Sequence, residues 1–403
     1  MKIRAGYGKT GNQSIGDYNA YTTFRSGTFT NGYPINGSAA TASAGFSPQR
    51  FGNPNTKWEA TASTNVGFDL VMLQNKLDIN FDVWSRKTTD MLFSSPFTFT
   101  AGDADIPAYN VGSMQNRGVD LGIGYKDRKG DFRYGASVNF STYRNKVLKL
   151  DESDNTQYFG YGSRVPAVTL TRAGIPISSF FGYKVLGIFQ TAEEAKAYAP
   201  YDNYNAVGKF KMADINGDNK ITDADRTIIG NPHPDFTYGI NLNLGYKNFD
   251  LTAFGNGSQG NDIFNYTRYF SDFNTFQGNR SKRALYDAWS PTNTGGTVPR
   301  PDADDQVSSR PSSYFVEDGS YFRLKNLQLG YTLPTTLLSR IGLSTAQVYV
   351  QSQNLFTITK YEGLNPEIGI SNNFSGDKNR NLGFDGGYMP VSRTLLFGLS
   401  VGF

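Results

Sequence analysis

The sequence has no cysteine and only one histidine among its 403 residues. Without cysteine, disulfide bonds and thiolate metal sites are excluded, although the compartment is not identified. No run of about 18 apolar residues occurs, which excludes a transmembrane helix. The mean hydropathy of −0.46 still allows a membrane β-barrel, because barrel strands alternate apolar and polar residues. Met1 to Gly8 lack the apolar core of a signal peptide, so an exported protein would carry its signal upstream.

Charge of one sign is also scarce. The formal net charge is +4, and the basic residues are scattered, which gives nucleic-acid binding little support. Glycine and aromatic residues are abundant instead, with Gly 44, Tyr 25 and Phe 30. This composition favours strands and interfacial side chains over packed helices. The length suits one large β-domain or two to three ordinary ones.

Apolar residues alternate with polar ones over stretches of roughly ten residues, the length at which a tilted strand crosses a bilayer. From Trp58 to Leu70, for example, every second residue from Trp58 onward is apolar or small, and the alternates are mostly polar. We count about ten such strands. They contain Ile3, Trp58, Leu77, Val119, Tyr134, Tyr238, Phe249, Leu327, Val348 and Leu395.

The connections between these strands differ greatly in length. Short links are predicted near Gln74-Asn75, Asp127-Gly130 and Lys247-Asn248, and a somewhat longer one at Pro334-Leu343. Long excursions separate the pairs, at 9–56, 88–116, 145–235, 257–320 and 356–391. Outer-membrane barrels show this asymmetry of short turns and long loops. A soluble β-sandwich also alternates, but it rarely tolerates loops beyond about 15 residues.

The end of the chain and the strand ends add to the barrel hypothesis. The last strand alternates up to Phe403, which resembles the C-terminal signal of outer-membrane barrels. Aromatic residues near strand ends suit the girdles at the two membrane interfaces. They are Tyr7, Trp58, Tyr125, Tyr134, Tyr246 and Tyr331. Within a long loop, residues 192–199 are predicted to form a short helix.

Seven segments, in order along the chain, carry a family resemblance. They are IRAGYGKTGNQSIGDY, FGNPNTKWEATASTNVGFDL, NVGSMQNRGVDLGIGY, GIPISSFFGYKVLGIFQTAEEA, DINGDNKITDADRTIIGNPHPDFTYGIN, SYFRLKNLQLGYTLP and VYVQSQNLFTITKYEGLNPE. Together they resemble the SusC/RagA family of TonB-dependent outer-membrane transporters. The resemblance implies an all-β fold, a transmembrane antiparallel β-barrel of about 22 strands, of which this chain supplies the last ten or so.

The same resemblance implies partners and missing parts. The plug, the TonB-binding box and the signal peptide of the family are N-terminal, so residues 1–403 are interpreted as the C-terminal part of the barrel without its plug. A SusD-like surface lipoprotein would dock over the extracellular loops, and the TonB complex would act through the absent N-terminal region. The substrate would be an oligosaccharide or a peptide, and the location the outer membrane.

A calcium-type loop lies within the excursion 145–235. Oxygen donors at positions 1, 3, 5 and 12, and a backbone carbonyl at position 7, match the pattern of EF-hand and dockerin loops. The candidate ligands are Asp214, Asn216, Asp218, Lys220 through its carbonyl, and Asp225. Position 6 is Asn219 instead of glycine, which the left-handed tolerance of asparagine allows. The alternative is an Asx-rich turn without metal; with calcium, the ion would order the loop.

Catalysis has little support in the sequence. His233 lies between two prolines without nearby partners and is interpreted as a turn residue. The carboxylate pairs Glu193-Glu194 and Asp304-Asp305 have no spacing that singles out an acid and a nucleophile. Nucleophile-elbow and phosphate-loop patterns are absent. We therefore expect no enzymatic activity.

Aromatic residues interleaved with polar ones form a candidate substrate contact, since sugars and peptides bind such surfaces. The candidates are Tyr266, Arg268, Tyr269 and Phe273, with Phe270, Phe276, Asp272 and Asn274 nearby. The alternative is that they form a loop core or contact a partner.

The leading hypothesis is a component of an outer-membrane nutrient importer, and its rival is a secreted soluble β-protein that binds glycans through a calcium-stiffened loop. The importer predicts that Phe68, Ile79, Val138 and Leu399 face lipid.

Overall fold

The computed structural model describes residues 1–13, 17–27, 32–34, 37, 43–94, 104, 108–150, 157–162, 164–273, 278–338, 342–369 and 381–402. Phe276, Asn274 and the terminal Phe403 lie outside these ranges. None of the helices in the described ranges is long and apolar enough to cross a membrane.

The strands in these ranges follow in chain order. They are β1 Lys2–Asn12, β2 Thr23–Gly27, β3 Gly45–Arg50, β4 Glu59–Met72, β5 Leu77–Ser94, β6 Ala108–Lys129, β7 Phe132–Lys149, β8 Gln157–Gly162, β9 Val165–Arg172, β10 Ser179–Gly182, β11 Val185–Ile188, β12 Phe210–Met212, β13 Thr227–Gly230, β14 Phe236–Tyr246, β15 Phe249–Gln259, β16 Asp262–Asn265, β17 Val316–Asp318, β18 Tyr321–Thr332, β19 Thr345–Thr359, β20 Phe384–Asp385 and β21 Thr394–Gly402.

Helices are short and lie in the connections. They are α1 Ala192–Ala197, α2 Thr267–Ser271, α3 Lys282–Tyr286 and α4 Thr335–Leu338, with 3₁₀ turns at Asp223–Asp225 and Ser313–Phe315. The helix predicted at 192–199 is thus confirmed as α1. It begins after Thr191, whose side chain accepts the backbone N–H of Glu194, as an N-cap residue does.

Ten strands form one sheet, in the order β1-β4-β5-β6-β7-β14-β15-β18-β19-β21. Every neighbouring pair is antiparallel. The predicted strand number and the all-β fold class are therefore confirmed. Among the described residues, β1 and β21 each have one neighbour in this sheet, so it forms a continuous wall with two free margins.

The predicted loop asymmetry is also confirmed. At one end of the sheet, only residues 73–76, 130–131, 247–248 and 333–344 join neighbouring strands. At the other end, the connections run over 13–58, 95–107, 150–235, 260–320 and 360–393. Leu73, Gln74 and Asn75 all have positive φ in the first short link, a left-handed turn that lets β4 and β5 reverse tightly.

Register places the apolar alternates of all these strands on one side of the sheet, the apolar face. Directly paired residues of an antiparallel sheet share a face. One such row runs Leu70, Ile79, Ile123, Val138 and Ile240 across five strands. A second row runs Leu244, Leu251, Leu329, Val350 and Phe397.

This apolar face is open to the surroundings. Val138 is 41% exposed, Leu329 46% and Leu399 66%. Soluble monomers rarely expose a continuous apolar surface of this extent. Phe68, Ile79, Val138 and Leu399 all lie on this face, where the barrel hypothesis places them.

Aromatic residues border the apolar face at the end with the short links. Tyr125 contacts Tyr134 with ring centroids 6.1 Å apart, and Phe249 contacts Tyr331 at 4.7 Å. Tyr246 is paired with Phe249 in register, so it joins the same band. Tyr7 and Trp58, at the end with the long loops, are 76% and 57% exposed. The aromatic residues thus lie at both ends of the apolar face, as an interfacial girdle requires.

The opposite side of the sheet, the polar face, carries the polar residues that alternate with the apolar ones along each strand. Arg4 donates to Asp69 at 2.9 Å and to Asp82 at 2.7 Å across three strands. Glycine on a neighbouring strand lets a large side chain of the polar face lie flat against the sheet. A Cβ on Gly118 would come within 2.4 Å of the Trp84 ring, so a larger residue there would force the ring off the wall.

Candidate functional site

The main hydrophobic core lies in the long connections and not in the sheet. The described residues of the connections 164–235, 260–320 and 360–393 pack together into what we call the loop body. Its largest fully buried side chains are Tyr183, Tyr266, Phe180, Phe189, Phe210, Phe264, Phe315 and Phe384. Phe264 stacks on Phe315 and Phe384, at 5.3 and 5.6 Å, and so joins two different connections. Three long loops therefore form one packed structure over one end of the sheet.

A buried ionic network ties the same connections together. The Asp272 carboxylate accepts hydrogen bonds from Ser281 at 2.6 Å and Tyr314 at 2.7 Å, and it pairs with Arg283. Burial acts to raise the pKa of Asp272, but the hydrogen bonds from Ser281 and Tyr314 and the charge of Arg283 outweigh it. The pKa of Asp272 therefore lies below its usual value, and the group stays ionised.

Arg268 is the second centre of this network. Its guanidinium lies 2.8 Å from Glu317 and 2.9 Å from Glu362, and it donates to the Tyr314 carbonyl at 2.6 Å. Glu362 also pairs with Arg283 at 2.9 Å, which closes the link to Asp272. The connection 260–320 is thereby fixed to the connection 360–393.

The candidate substrate contacts fall inside this packed core. Tyr266 is 2% exposed, Phe273 6%, Tyr269 8% and Arg268 9%. Tyr266 stacks on Tyr269 at 5.2 Å, and Phe273 packs on Phe315 at 5.7 Å. The described geometry thus gives these four residues a packing role, which is the alternative that the sequence left open. Direct contact with a substrate stays a prediction.

Two of the segments that carry the family resemblance meet at the loop end of β18. Arg323 is 3% exposed and donates to Glu367 at 2.5 Å and to Asn365 at 2.8 Å. Lys325 pairs with Glu367 at 2.7 Å, and the Tyr321 hydroxyl donates to it at 3.2 Å. The alternation SYFRLKN therefore places its basic side chains where they hold the GLNPE turn. Sequence reasoning missed this contact, because nothing local relates residues about forty positions apart.

The calcium-type loop adopts a compact turn. Asp214 accepts the backbone N–H groups of Gly217 at 2.7 Å and Asn219 at 2.9 Å. Asn219 has φ of 60°, so the predicted left-handed conformation at position 6 is confirmed. The side-chain amide oxygen of Asn216 accepts the backbone N–H of Asp218, and the Asp218 carboxylate accepts the backbone N–H of Lys220.

Asp225 closes this turn from inside the protein. It is 0% exposed, and its carboxylate accepts N–H groups of Ile215, Asn216 and Thr222 at 2.9, 3.4 and 2.8 Å. Burial acts to raise the pKa of Asp225, but these backbone hydrogen bonds outweigh it and hold the pKa below its usual value.

The donor types suit calcium, which prefers carboxylate and carbonyl oxygens, and each carboxylate oxygen retains a second lone pair. Within the described ranges, however, no three His, Cys, Asp or Glu side chains are grouped closely enough to hold a metal ion. Asp214, Asp218 and Asp225 would have to turn toward one point, so calcium binding stays a prediction. The motif is also anchored without metal, because Asp223 accepts the Tyr183 hydroxyl at 2.7 Å.

His233 joins two loop segments. It is 7% exposed; one ring nitrogen lies 3.0 Å from the Ile177 carbonyl, and the other lies 3.1 Å from the Tyr143 hydroxyl. The ring therefore donates to the carbonyl and accepts from the tyrosine. Burial lowers the pKa of His233, which favours the neutral ring. These contacts agree with the interpretation of His233 as a structural turn residue.

The polar face carries a groove of about 420 Å³ close to the loop body. Its lining includes Asn80, Asp120, Asn139, Ser141 and Asn256. Asn139 is paired with Gly122 and Gly239, so the wall beside it carries no side chain. Amide and hydroxyl groups of this kind bind the polar edges of sugars and peptides. The sequence shows the polar alternates, but it does not show which of them converge on one groove.

Comparison with known proteins agrees with this geometry. Residues 1–257 match the model of the TonB dependent receptor-like β-barrel family. A TonB-dependent receptor of Formosa agariphila is 36% identical over 410 residues, an alignment that covers 100% of this chain and 39% of the relative. The TonB-dependent receptor SusC of Bacteroides thetaiotaomicron is 28% identical over 423 residues, covering 100% and 37%.

Solved structures give the same result. The RagAB peptide transporter superposes with a TM-score of 0.78 at 26% identity, over 100% of this chain and 40% of that one. The RagAB peptide importer in its closed-closed state gives 0.78 at 27% identity, with the same coverage. This chain therefore spans about two fifths of the length of its relatives. From its wall of antiparallel strands and its match over residues 1–257, the chain belongs to the TonB dependent receptor-like β-barrel family.

Proposed function

We propose that this chain forms the wall and the surface loops of an outer-membrane importer that takes up oligosaccharides or peptides. The observation that carries the proposal is the two-sided wall, with an exposed apolar face, a groove-bearing polar face and a packed loop body at one end. Lipid would cover the apolar face, because water around such a surface is unfavourable. The soluble glycan-binding alternative finds no support in the exposed apolar face or in the relatives.

The proposed transport cycle uses parts beyond this chain. Substrate would be captured between the loop body and a SusD-like lipoprotein, and the TonB complex would act on an N-terminal plug. In this scheme the groove on the polar face lines the path of the substrate, and the chain performs no catalysis. The buried Arg268 and Asp272 network would keep the loop body rigid enough to present one surface to the lipoprotein.

The test is uptake of labelled peptides and oligosaccharides by cells that carry the intact protein. Asn139→Trp places a large ring on the polar face beside Gly122 and Gly239, and we expect it to abolish uptake. The matched control is Val138→Trp. Val138 is the chain neighbour of Asn139 and lies on the apolar face, where lipid accepts an indole. Normal uptake by Asn139→Trp, with the protein assembled in the outer membrane, would refute the proposed path.

We also propose a structural calcium ion in the turn that holds Asp214, Asn216, Asp218, the Lys220 carbonyl and Asp225. The buried, ionised Asp225 carboxylate supports this, because its described partners are backbone N–H groups and the Thr222 hydroxyl, and none of them is a basic side chain. Calorimetry on the intact protein should show calcium binding that Asp218→Ala abolishes and Asp304→Ala leaves in place. If calorimetry shows no calcium binding that Asp218→Ala abolishes, the segment is an Asx-rich turn only.

A further inference from the structure

The apolar face changes its chemistry near the loop end of β5, β6 and β7. Val83, Val119 and Thr142 form one row across these strands. Two residues further toward the long loops, the row on the same face is Ser85, Arg117 and Arg144. Strands rise about 3.4 Å per residue, so the row with the two guanidinium groups lies about 7 Å from the row of Val83 and Val119.

The next row continues the positive charge. It runs Lys9, Ala62, Lys87, Gln115 and Lys146, all on the same face by register. We call Lys9, Lys87, Arg117, Arg144 and Lys146 the basic rim. Its residues lie on β1, β5, β6 and β7, with Ala62 of β4 between Lys9 and Lys87, and the rim separates the apolar part of this face from the loops.

The basic rim is exposed and poorly neutralised. All five side chains belong to exposed residues. Arg144 pairs with Asp235 at 2.7 Å, and both side chains remain more than half exposed. Lys9, Lys87, Arg117 and Lys146 have no described carboxylate within 4.0 Å. Most charges of the rim are therefore available to an anion from outside the chain.

A groove runs from the basic rim into the apolar face. It has a volume of about 510 Å³, and its apolar floor includes Val66, Val83 and Val119. Arg117 and Arg144 line the same groove at its loop end. One continuous depression thus offers guanidinium groups at one end and valines at the other.

We propose that the basic rim and this groove bind a phosphorylated glycolipid of the outer leaflet, of the lipid A class. The phosphate contacts Arg117, with Lys87 and Lys146 beside it, and an acyl chain lies along Val83 and Val119. Arginine suits this role, because its planar fork binds two phosphate oxygens at once. Short turns face the periplasm, so the loop end of the wall lies at the outer leaflet. The inference rests on the membrane placement given under the proposed function.

The test measures the affinity of the intact protein, purified in detergent, for lipid A. Lys87→Gln combined with Arg117→Gln removes two charges of the basic rim. Each basic residue near an anionic lipid surface contributes about fivefold to binding, so we expect affinity to fall about 25-fold. The matched control is Lys126→Gln combined with Arg128→Gln, two exposed basic residues on the polar face. Arg117→Lys keeps the charge but loses the planar fork, so its affinity should lie between those of the unsubstituted protein and the double variant, which separates loss of charge from misfolding.

Three outcomes would overturn the inference. The first is lipid A affinity that is unchanged in the double variant, or reduced equally in the control. The second is displacement of lipid A by millimolar inorganic phosphate, which would mean that the groove contributes nothing. The third is loss of a co-purifying protein from the double variant while lipid A remains bound, which would make the rim a protein-docking surface. Failure of the proposed function is distinguishable, because the intact protein would then be absent from the outer membrane fraction.

Discussion

Removal of the Asp272 carboxylate should loosen the loop body without affecting the sheet. In Asp272→Ala, Arg283 and the hydroxyls of Tyr314 and Ser281 lose a buried acceptor. Breaking a buried ion pair costs about 3–5 kcal/mol, and we expect about 3 kcal/mol here because Arg283 keeps Glu362. The equilibrium for opening the loop body would then shift about 150-fold.

Hydrogen exchange on the intact protein measures this shift directly. Amides in residues 260–320 should exchange about 150-fold faster in Asp272→Ala, if exchange follows the opening equilibrium. Amides in β5, β6 and β7 should be unchanged, since their hydrogen bonds lie in the sheet. The matched control is Asp304→Ala, an exposed carboxylate in the same connection, for which we expect less than about 0.5 kcal/mol.

The pH dependence gives a second check on the same group. The pKa of Asp272 is lower in the folded loop body than in the opened one. Its contribution is therefore complete above the ordinary aspartate pKa of about 3.9 and is lost as pH falls through the folded pKa. Asp272→Asn should remove this dependence. If exchange in residues 260–320 is the same in Asp272→Ala and Asp304→Ala, the network does not hold the loop body.

Two further predictions concern other parts of the fold. Because burial lowers the pKa of His233, opened loops bind more protons, so the stability of the contact with Ile177 should fall as pH drops below about 6.5. Exchange at residues 174–180 measures it, and His233→Gln should abolish the dependence. Val138→Lys should destabilise the wall by about 2–4 kcal/mol and reduce the assembled fraction in the outer membrane, because a charge in lipid is costly. Ser137→Lys, on the polar face, should assemble normally, and equal assembly of both variants would contradict the assignment of the faces.

The wall could be predicted because its information is local. A period of two fixes which side chains share a face, and glycine, asparagine and short polar links fix where strands reverse. For this reason the strand number, the loop asymmetry and the left-handed Asn219 were all accessible from the residues. The end signal at Phe403 stays a prediction, since that residue lies outside the described ranges.

The loop body could not be predicted in the same way. Tyr266, Tyr269 and Phe273 show the composition of a binding surface, yet aromatic residues also form cores, and sequence alone does not separate the two. Their burial depends on Phe315 and Phe384, which come from other parts of the chain. The contact of Arg323 with Glu367 has the same origin.

The sequence by itself determined a sheet of antiparallel strands with one apolar and one polar side, because side-chain alternation is a property of neighbouring residues. Only the tertiary structure decided which loop residues are buried, where the polar side chains converge on a groove, and that Arg117 and Lys87 lie together at one margin of the apolar face. Those outcomes depend on register and on packing between distant segments. Contacts between distant segments stabilise the fold only after the long loops have closed, and a short stretch of sequence does not show that closure.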